Sequence, residues 1–404
     1  MSLRAPIPFF AAPHRVMFLG GSMQALVAML LWAADLAARL LGPWWLLPVP
    51  HWPLPAPWWH ALLMLYGVFP FFIFGFILTA GPRWQGAPDT PPRVFVPAFL
   101  FMAAGWLLIW LSPALAVLLP AGLVLAMAGW GIALVWLWQV GNRPDRERLH
   151  IRIVATSVAL GIGGMAAFAA FALGFDARWA RLGIELGLWG VLLPIFVTVA
   201  HRMLPFFSSG AIPNYVVYRA DWTLRLLVAA SLLHGVLSWL ELPAWTWLAD
   251  LPAAAVALHL TLRWRLRASL AERMVAVLHV AFAWVALAFM LFAAASLMSL
   301  AGRPILGLAP LHALTLGFFA SMLIGMTTRV TLGHSGLPVR DDGVMWPAFL
   351  TMQAAALLRV LAELAPAMAW LSLPAALLWL GAFGAWSWRH APRFWRPRAD
   401  GRPG

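Results

Sequence analysis

Twelve apolar stretches, each about the length of a membrane-spanning helix, divide this 404-residue chain. A spanning helix needs roughly 20 mostly apolar residues. Only 10% of the residues are charged, against about 25% in soluble domains. We therefore predict an all-α polytopic membrane protein of about twelve transmembrane helices. The spans are placed near 16–40, 58–80, 94–111, 114–140, 150–174, 182–203, 222–240, 244–262, 274–300, 307–328, 344–364 and 367–388.

Arginine placement predicts the orientation of these helices. All 27 basic residues are arginine, and 22 fall on one side of the predicted membrane. The other side has five, namely Arg39, Arg178, Arg181, Arg303 and Arg359. The positive-inside rule then predicts that both termini are cytoplasmic. Residues 1–15 form a cytoplasmic segment, 16–388 the transmembrane domain and 389–404 a basic tail, so the net charge of +13 needs no nucleic-acid partner.

Few carboxylates fall within the spans, and most have an obvious partner. Asp35 with Arg39, and Arg359 with Glu363, are spaced four residues apart and predict ion pairs. Glu185 is a candidate proton or cation site, although Arg181 one turn earlier offers it an ordinary pair. The chain has no cysteine, which excludes thiolate catalysis and cysteine-ligated metals. No pattern typical of hydrolases is found, and the residues do not assign a reaction.

Eleven histidines in so apolar a chain are the most informative residues. Four are predicted in loops, tails or at an interface: His14, His51, His150 and His390. The predicted topology places the others in two layers. The outer layer has His60, His234 and His312, and the inner layer has His201, His259, His279 and His334.

His60 and His312 begin the same tripeptide, His-Ala-Leu, on two spans that run in the same direction. Two imidazoles at equal depth on different helices are what bis-histidine ligation of a haem requires. Gly67 and Gly317, with Ala320, are expected to leave room for the porphyrin. The alternative is that each histidine is structural and satisfied by one hydrogen bond.

A second possible metal or functional site combines His201, Arg329 and His334, with His234 as a further candidate. His201 starts the run HRMLP, and His334 lies in the turn GHSG after Arg329. Interfacial capping is the alternative for both histidines. Weaker candidates are Arg202, Glu185 and His14 and, as soft copper ligands, Met64, Met322 and Met326. Methionine in a span more often fills the core.

Three sequence blocks resemble NnrS family proteins. They are WHALLMLYG with GFILTAGPRWQG in span 2, HRMLPFFS in span 6, and HALTLG with GMTTRVTLGHSG in span 10. The resemblance implies a bacterial inner-membrane protein that binds haem and copper and acts in the response to nitric oxide, as in denitrification and nitrosative stress. Leu62 and Leu63 stand where the family has histidine and glutamate, which weakens the copper prediction.

A weaker, topological resemblance links the chain to haem-copper oxidases and nitric oxide reductases. These also have twelve spans, with low-spin haem ligands on spans 2 and 10. The adjacent histidines on span 7 and the H-x-H on span 10 that build their reactive centre are missing here. The expected partners are therefore the lipid bilayer, one haem b, and nitric oxide or an iron–nitrosyl species. Two alternatives stay open: a cofactor-free secondary transporter, suggested by Pro70, Gly75 and Pro194 within spans, and a haem or copper assembly factor.

Overall fold

The computed structural model describes residues 8–45, 49, 51–143 and 147–401. Within these ranges the regular structure is helical and no strand is found, so the predicted all-α class is confirmed. Arg4, Arg146 and Arg402, three of the arginines used to predict orientation, lie outside the described residues. The same holds for residues 1–7 of the predicted N-terminal segment and 402–404 of the predicted tail.

A helix covers each of the twelve predicted spans. In chain order they are α1 Pro13–Leu41, α2 Ala56–Trp84, α3 Pro92–Leu111, α4 Leu118–Gly141, α5 Leu149–Ala172, α6 Ala177–Ser209, α7 Asp221–Trp239, α8 Trp247–Arg263, α9 Arg273–Leu300, α10 Ala309–His334, α11 Met345–Leu361 and α12 Ser372–Trp395. Short 3₁₀ turns occur at Pro8–Phe10, Gly42–Trp44, Pro243–Trp245 and Pro366–Leu371, and Leu266–Ser269 is a single helical turn.

Ten helices of the described chain are long and apolar enough to cross a membrane. The two remaining helices, α8 and α11, have 17 residues each, which is the lower end of the spanning range. The predicted number of about twelve spans is therefore larger than the number of described helices, ten, that are long and apolar enough to cross a membrane. Helix α12 continues to Trp395, beyond residue 389 where the basic tail is predicted to begin.

The helices α2, α6 and α10 form the centre of the bundle. Their most apolar windows are 89%, 78% and 78% buried inside the protein, against 33% for α3. Each of the three contains a π-helical segment: Leu63–Val68, Leu186–Leu192 and Ala313–Ala320. A π turn closes its hydrogen bond one residue later than an α turn, and such segments are frequent at functional sites.

Small residues allow close helix contacts around this centre. A Cβ at Gly105 of α3 would lie 2.5 Å from the carbonyl oxygen of Gly122 on α4, so the two backbones touch there. The Tyr66 ring of α2 packs against Gly187, and its hydroxyl donates a hydrogen bond to the Gly183 carbonyl of α6 at 2.6 Å. This bond satisfies a buried polar group and fixes α2 against α6.

The two ends of the bundle differ in charge and in the residues they bring together. One end, called the arginine-rich end, joins Pro13 at the start of α1 with Arg83 and His334 at the ends of α2 and α10. The other, called the His60 end, joins Trp32 of α1 with His60 and His312 at the starts of α2 and α10. Helix α1 therefore runs antiparallel to α2 and α10.

Candidate functional site

A cavity of about 180 Å³ lies at the His60 end between the central helices and is called the histidine cavity. Both His60 and His312 line it, as the sequence predicted from their matching positions. Its other lining residues are largely apolar and come from α1, α2, α6, α10, α11 and α12: Met29, Trp32, Pro57, Ala61, Met64, Leu65, Phe69, Ile184, Leu188, Leu192, Leu308, Leu311, Thr315, Leu316, Arg359 and Trp379.

The local backbone orients the imidazole of His312. Its Nδ1 lies 2.9 Å from the carbonyl oxygen of Leu308, one turn earlier in the chain. A carbonyl only accepts, so Nδ1 carries the proton and Nε2 keeps its lone pair. A histidine that donates one ring N–H to a carbonyl in this way has the tautomer found in metal-ligating histidines.

An aromatic ring fixes His60. Its imidazole stacks on the indole of Trp32, with ring centroids 4.3 Å apart and planes inclined by 17°. The Nδ1 atom is buried and has no hydrogen-bond partner. A buried polar atom without a hydrogen-bond partner costs free energy. The apolar surroundings of His60 leave one of its two ring nitrogens in this state.

A cation completes the lining of the histidine cavity. Arg359 reaches it from α11 and pairs with Glu363 at 2.5 Å, as its i,i+4 spacing predicted. The second predicted pair, Asp35 with Arg39, is also confirmed, at 2.6 Å. The other oxygen of Glu363 accepts from the backbone N–H of Leu308 at 3.0 Å. Glu363 therefore links Arg359 to the turn that carries His312.

Two predicted features of the cavity are wrong. Gly67 and Gly317 were expected to leave room beside the histidines, yet Trp106 occupies the space at Gly67 and Trp284 the space at Gly317. Both glycines lie within π segments. The extra residue in each π turn rotates the following positions away from the face predicted for an α-helix.

His201, at the arginine-rich end, belongs to a network that the sequence did not suggest. Glu147 accepts a hydrogen bond from His150 Nδ1 at 2.9 Å, and His150 Nε2 lies 3.0 Å from His201 Nδ1. His201 Nε2 lies 3.2 Å from the carbonyl oxygen of Ala220. Arg202 pairs with Glu147 at 2.9 Å. Each group has a partner, so this network holds α5, α6 and the loop before α7 together.

The pKa of Glu147 reflects this network. Partial burial raises the pKa, and the hydrogen bonds and charge of His150, together with the charge of Arg202, outweigh it and lower the pKa to about 2. The carboxylate is therefore ionised at neutral pH. Of the four histidines predicted in loops, tails or at an interface, His14, His150 and His390 are buried within the protein, and His150 lies in the first turn of α5. His51 lies in a loop, as predicted, and is exposed.

His334 lies apart from His201 and packs against His14. The two imidazole centroids are 4.6 Å apart, and Nδ1 of His14 is buried without a partner. Arg398 from the chain's end donates to the His334 carbonyl at 3.2 Å. Arg329, the third member of the predicted cluster, donates to the Met274 carbonyl at 3.0 Å instead. The described structure therefore does not bring the three predicted residues into one site.

His234 forms a buried pair with Asp250, a residue the sequence analysis did not select. Its Nδ1 lies 2.6 Å from Asp250 Oδ1. The imidazole packs on the Trp189 ring at 3.8 Å, and Asp250 is fully buried. His234 and Asp250 are 16 residues apart on two different helices, so their spacing in the sequence does not predict the contact. A carboxylate one turn into a predicted span is nevertheless uncommon, and this feature could have marked Asp250 as a candidate.

The remaining candidates are dispersed. Glu185 directly precedes the π segment of α6. Arg181, the partner that the sequence offered for Glu185, forms an ion pair with Glu241. Met64 lines the histidine cavity, whereas Met322 and Met326 line a different cavity. In the part of the chain that the structure describes, no group of three or more His, Asp or Glu side chains could hold a metal ion.

The fold defines the chain as an all-α polytopic membrane protein with a two-histidine cavity among its central helices. A family match then identifies it more closely: residues 8–398 match the family described as NnrS protein. The chain belongs to this family. No curated protein matches the chain. At the level of the family, membership supports a membrane protein of the nitric oxide response.

Proposed function

We propose that this protein binds haem b in the histidine cavity, with His60 and His312 as axial ligands, and acts on nitric oxide or an iron–nitrosyl species in the nitric oxide response. The observation that carries the proposal is that both imidazoles open into one largely apolar cavity. A neutral imidazole on each of two helices is the donor set of a six-coordinate haem.

The residues of the cavity fit this cofactor chemically. His312 presents Nε2 because its Nδ1 donates to Leu308, and His60 has a ring nitrogen without a protein partner. Arg359, which also pairs with Glu363, would be available to bind the propionate carboxylates of a haem in this cavity. The cavity is smaller than the roughly 300–1,000 Å³ of typical ligand pockets. Haem uptake therefore requires flexible lining side chains such as Met29 and Met64 to change rotamer.

Haem bound here would supply one-electron redox chemistry and an iron site for gas binding. The protein residues perform the other tasks. Leu308 and Trp32 orient the two imidazoles, and Arg359 holds negative charge at the edge of the cavity. The apolar lining from α6 and α10 excludes water, which favours an uncharged ligand such as nitric oxide over ions.

Copper is a weaker part of the proposal. Leu62 and Leu63, at the positions where the family resemblance would place histidine and glutamate, are buried in helix packing. Met64 is the candidate copper ligand closest in sequence to His60, and it lines the same cavity. Metal analysis of the purified protein, with Met64→Leu as the variant, tests whether this methionine contributes to copper content.

The test of the haem proposal is the absorption spectrum of detergent-purified protein made with ample haem. We expect a Soret band, sharp α and β bands after dithionite reduction, and a shift with nitric oxide. His60→Ala and His312→Ala should lose most of the haem, whereas His259→Ala, at a histidine that contacts Tyr218, should keep it. Full haem loading in either cavity variant would refute the ligand assignment. A featureless wild-type spectrum would leave the transporter as the leading function, and weak, easily stripped haem would favour an assembly factor.

A further inference from the structure

A second cavity, called the apolar cavity, lies between α2, α6 and α10 and has a volume of about 40 Å³. Ten of its eleven lining residues are apolar, among them Ile73, Val199, Met322 and Met326. The exception is Thr327, whose hydroxyl already donates to the Leu323 carbonyl at 2.7 Å. Cavities of this composition stay dry and take up apolar guests, because a water molecule in them would lack hydrogen-bond partners.

The apolar cavity lies next to the histidine cavity. Phe69 lines the histidine cavity, and Ile73, four residues later on α2, lines the apolar cavity. Phe69 of the histidine cavity and Phe196 of the apolar cavity contact each other and Phe319, and these three rings are called the aromatic layer. The Phe69 ring contacts each of the other two at 5.9 Å, and Phe196 lies 4.7 Å from Phe319.

The layer between the cavities contains no hydrogen bond that an opening would break. Its three members are phenyl rings held by edge and tilted contacts, which are weak individually. A side-chain rotation that opened this layer would therefore cost packing contacts and no hydrogen bond. A charged or strongly polar solute would have to lose its hydration on this route, whereas an uncharged diatomic molecule would not.

We infer that the apolar cavity is a docking site for a small uncharged gas of the nitric oxide class, and that gas passes from it to the histidine cavity through the Phe69–Phe196–Phe319 layer. The volume supports this ligand class, since about 10–15 Å³ by the same measure holds one water-sized molecule. The inference of a docking site depends only on the volume and the apolar lining of the cavity. The identity of the gas and the purpose of the route rest on the proposed function.

Xenon tests the docking site without any need for haem. Val199→Phe places a ring in the apolar cavity, and Val124→Phe makes the same change on the exposed face of α4, where Val124 is 55% accessible. In ¹²⁹Xe NMR of protein in detergent, wild type and Val124→Phe should shift the xenon resonance in a saturable way. Val199→Phe should lose this shift. Wild-type protein without saturable xenon binding would overturn the inference, as would binding that survives in Val199→Phe.

Carbon monoxide rebinding after flash photolysis tests the route in haem-loaded, reduced protein. When Val199→Phe fills the docking site, photolysed carbon monoxide cannot move into the apolar cavity. The fraction of carbon monoxide that rebinds to the iron before it escapes from the protein should therefore rise. Entry from solution should slow several-fold relative to Val124→Phe. Unchanged kinetics in a variant that has lost xenon binding would refute the route. Xenon binding by a protein that takes up no haem would support the docking site and refute the proposed haem function, so the two failures are distinguishable.

Discussion

The buried pair of His234 and Asp250 allows a quantitative prediction about stability. Asp250 is fully buried, its Oδ1 lies 2.6 Å from His234, and its Oδ2 has no hydrogen-bond partner. His234→Leu therefore leaves a carboxyl group in an apolar interior with its main partner gone. Breaking a buried pair in this way costs about 3–5 kcal/mol.

The opposite single substitution should be milder. Asp250→Leu leaves Nδ1 of the buried imidazole without its partner, and an unsatisfied buried polar group costs about 1–3 kcal/mol. The double variant His234→Leu/Asp250→Leu removes both polar groups and fills both positions with apolar side chains. Replacing a whole buried pair by apolar residues is often neutral or stabilising, so the double variant should be more stable than His234→Leu.

The assay is unfolding of the purified protein in mixed detergent, followed by SDS titration and by thermal denaturation. The four proteins of this cycle give the coupling free energy directly. We expect a coupling of about 4–8 kcal/mol, which is the sum of the two single-variant costs when the double variant itself costs nothing. Additive costs, or a His234→Leu protein as stable as wild type, would show that the contact contributes little and would refute the reasoning.

Three further predictions concern other parts of the bundle. Glu147→Gln should lower stability at neutral pH by on the order of 1 kcal/mol, a value discounted because the side chain is partly exposed. Since the folded pKa is below the usual one, the wild-type advantage should be complete above about pH 4.5 and vanish towards pH 2; thermal melts across this range measure it. Gly105→Ala should lower the melting temperature because it pushes α3 from α4, whereas Gly131→Ala, where a Cβ meets no atom within 4 Å, should not. Tyr66→Phe should cost about 1–3 kcal/mol in SDS titration through the carbonyl it leaves unpaired.

Each of these predictions has an outcome that contradicts it. A constant difference between wild type and Glu147→Gln at every pH would mean that the carboxylate's charge does not stabilise the fold. Equal melting temperatures for the two glycine variants would show that α3 and α4 adjust without cost. Unchanged stability of Tyr66→Phe would mean that another group satisfies the Gly183 carbonyl.

The sequence by itself determined the class of protein and the position of each helix. This follows because the bilayer sets the length and polarity of a spanning segment locally, so apolar runs between charges are sufficient evidence. Local spacing also determined the pairs Asp35–Arg39 and Arg359–Glu363, since residues four apart on a helix are neighbours. The shared placement of His60 and His312 followed from the same topology, because both begin spans that run in one direction.

Only the tertiary structure decided which distant side chains meet. His150 joins His201, His14 joins His334, and Arg359 reaches the histidine cavity, through packing between helices far apart in the chain. The three π segments were equally hidden, and they explain why Gly67 does not face the predicted space. A π turn is stabilised by tertiary contacts rather than by the local pattern, so residue spacing beyond it cannot be projected from an ideal α-helix. For this reason the sequence located the two histidines of the candidate site, and the fold determined what surrounds them.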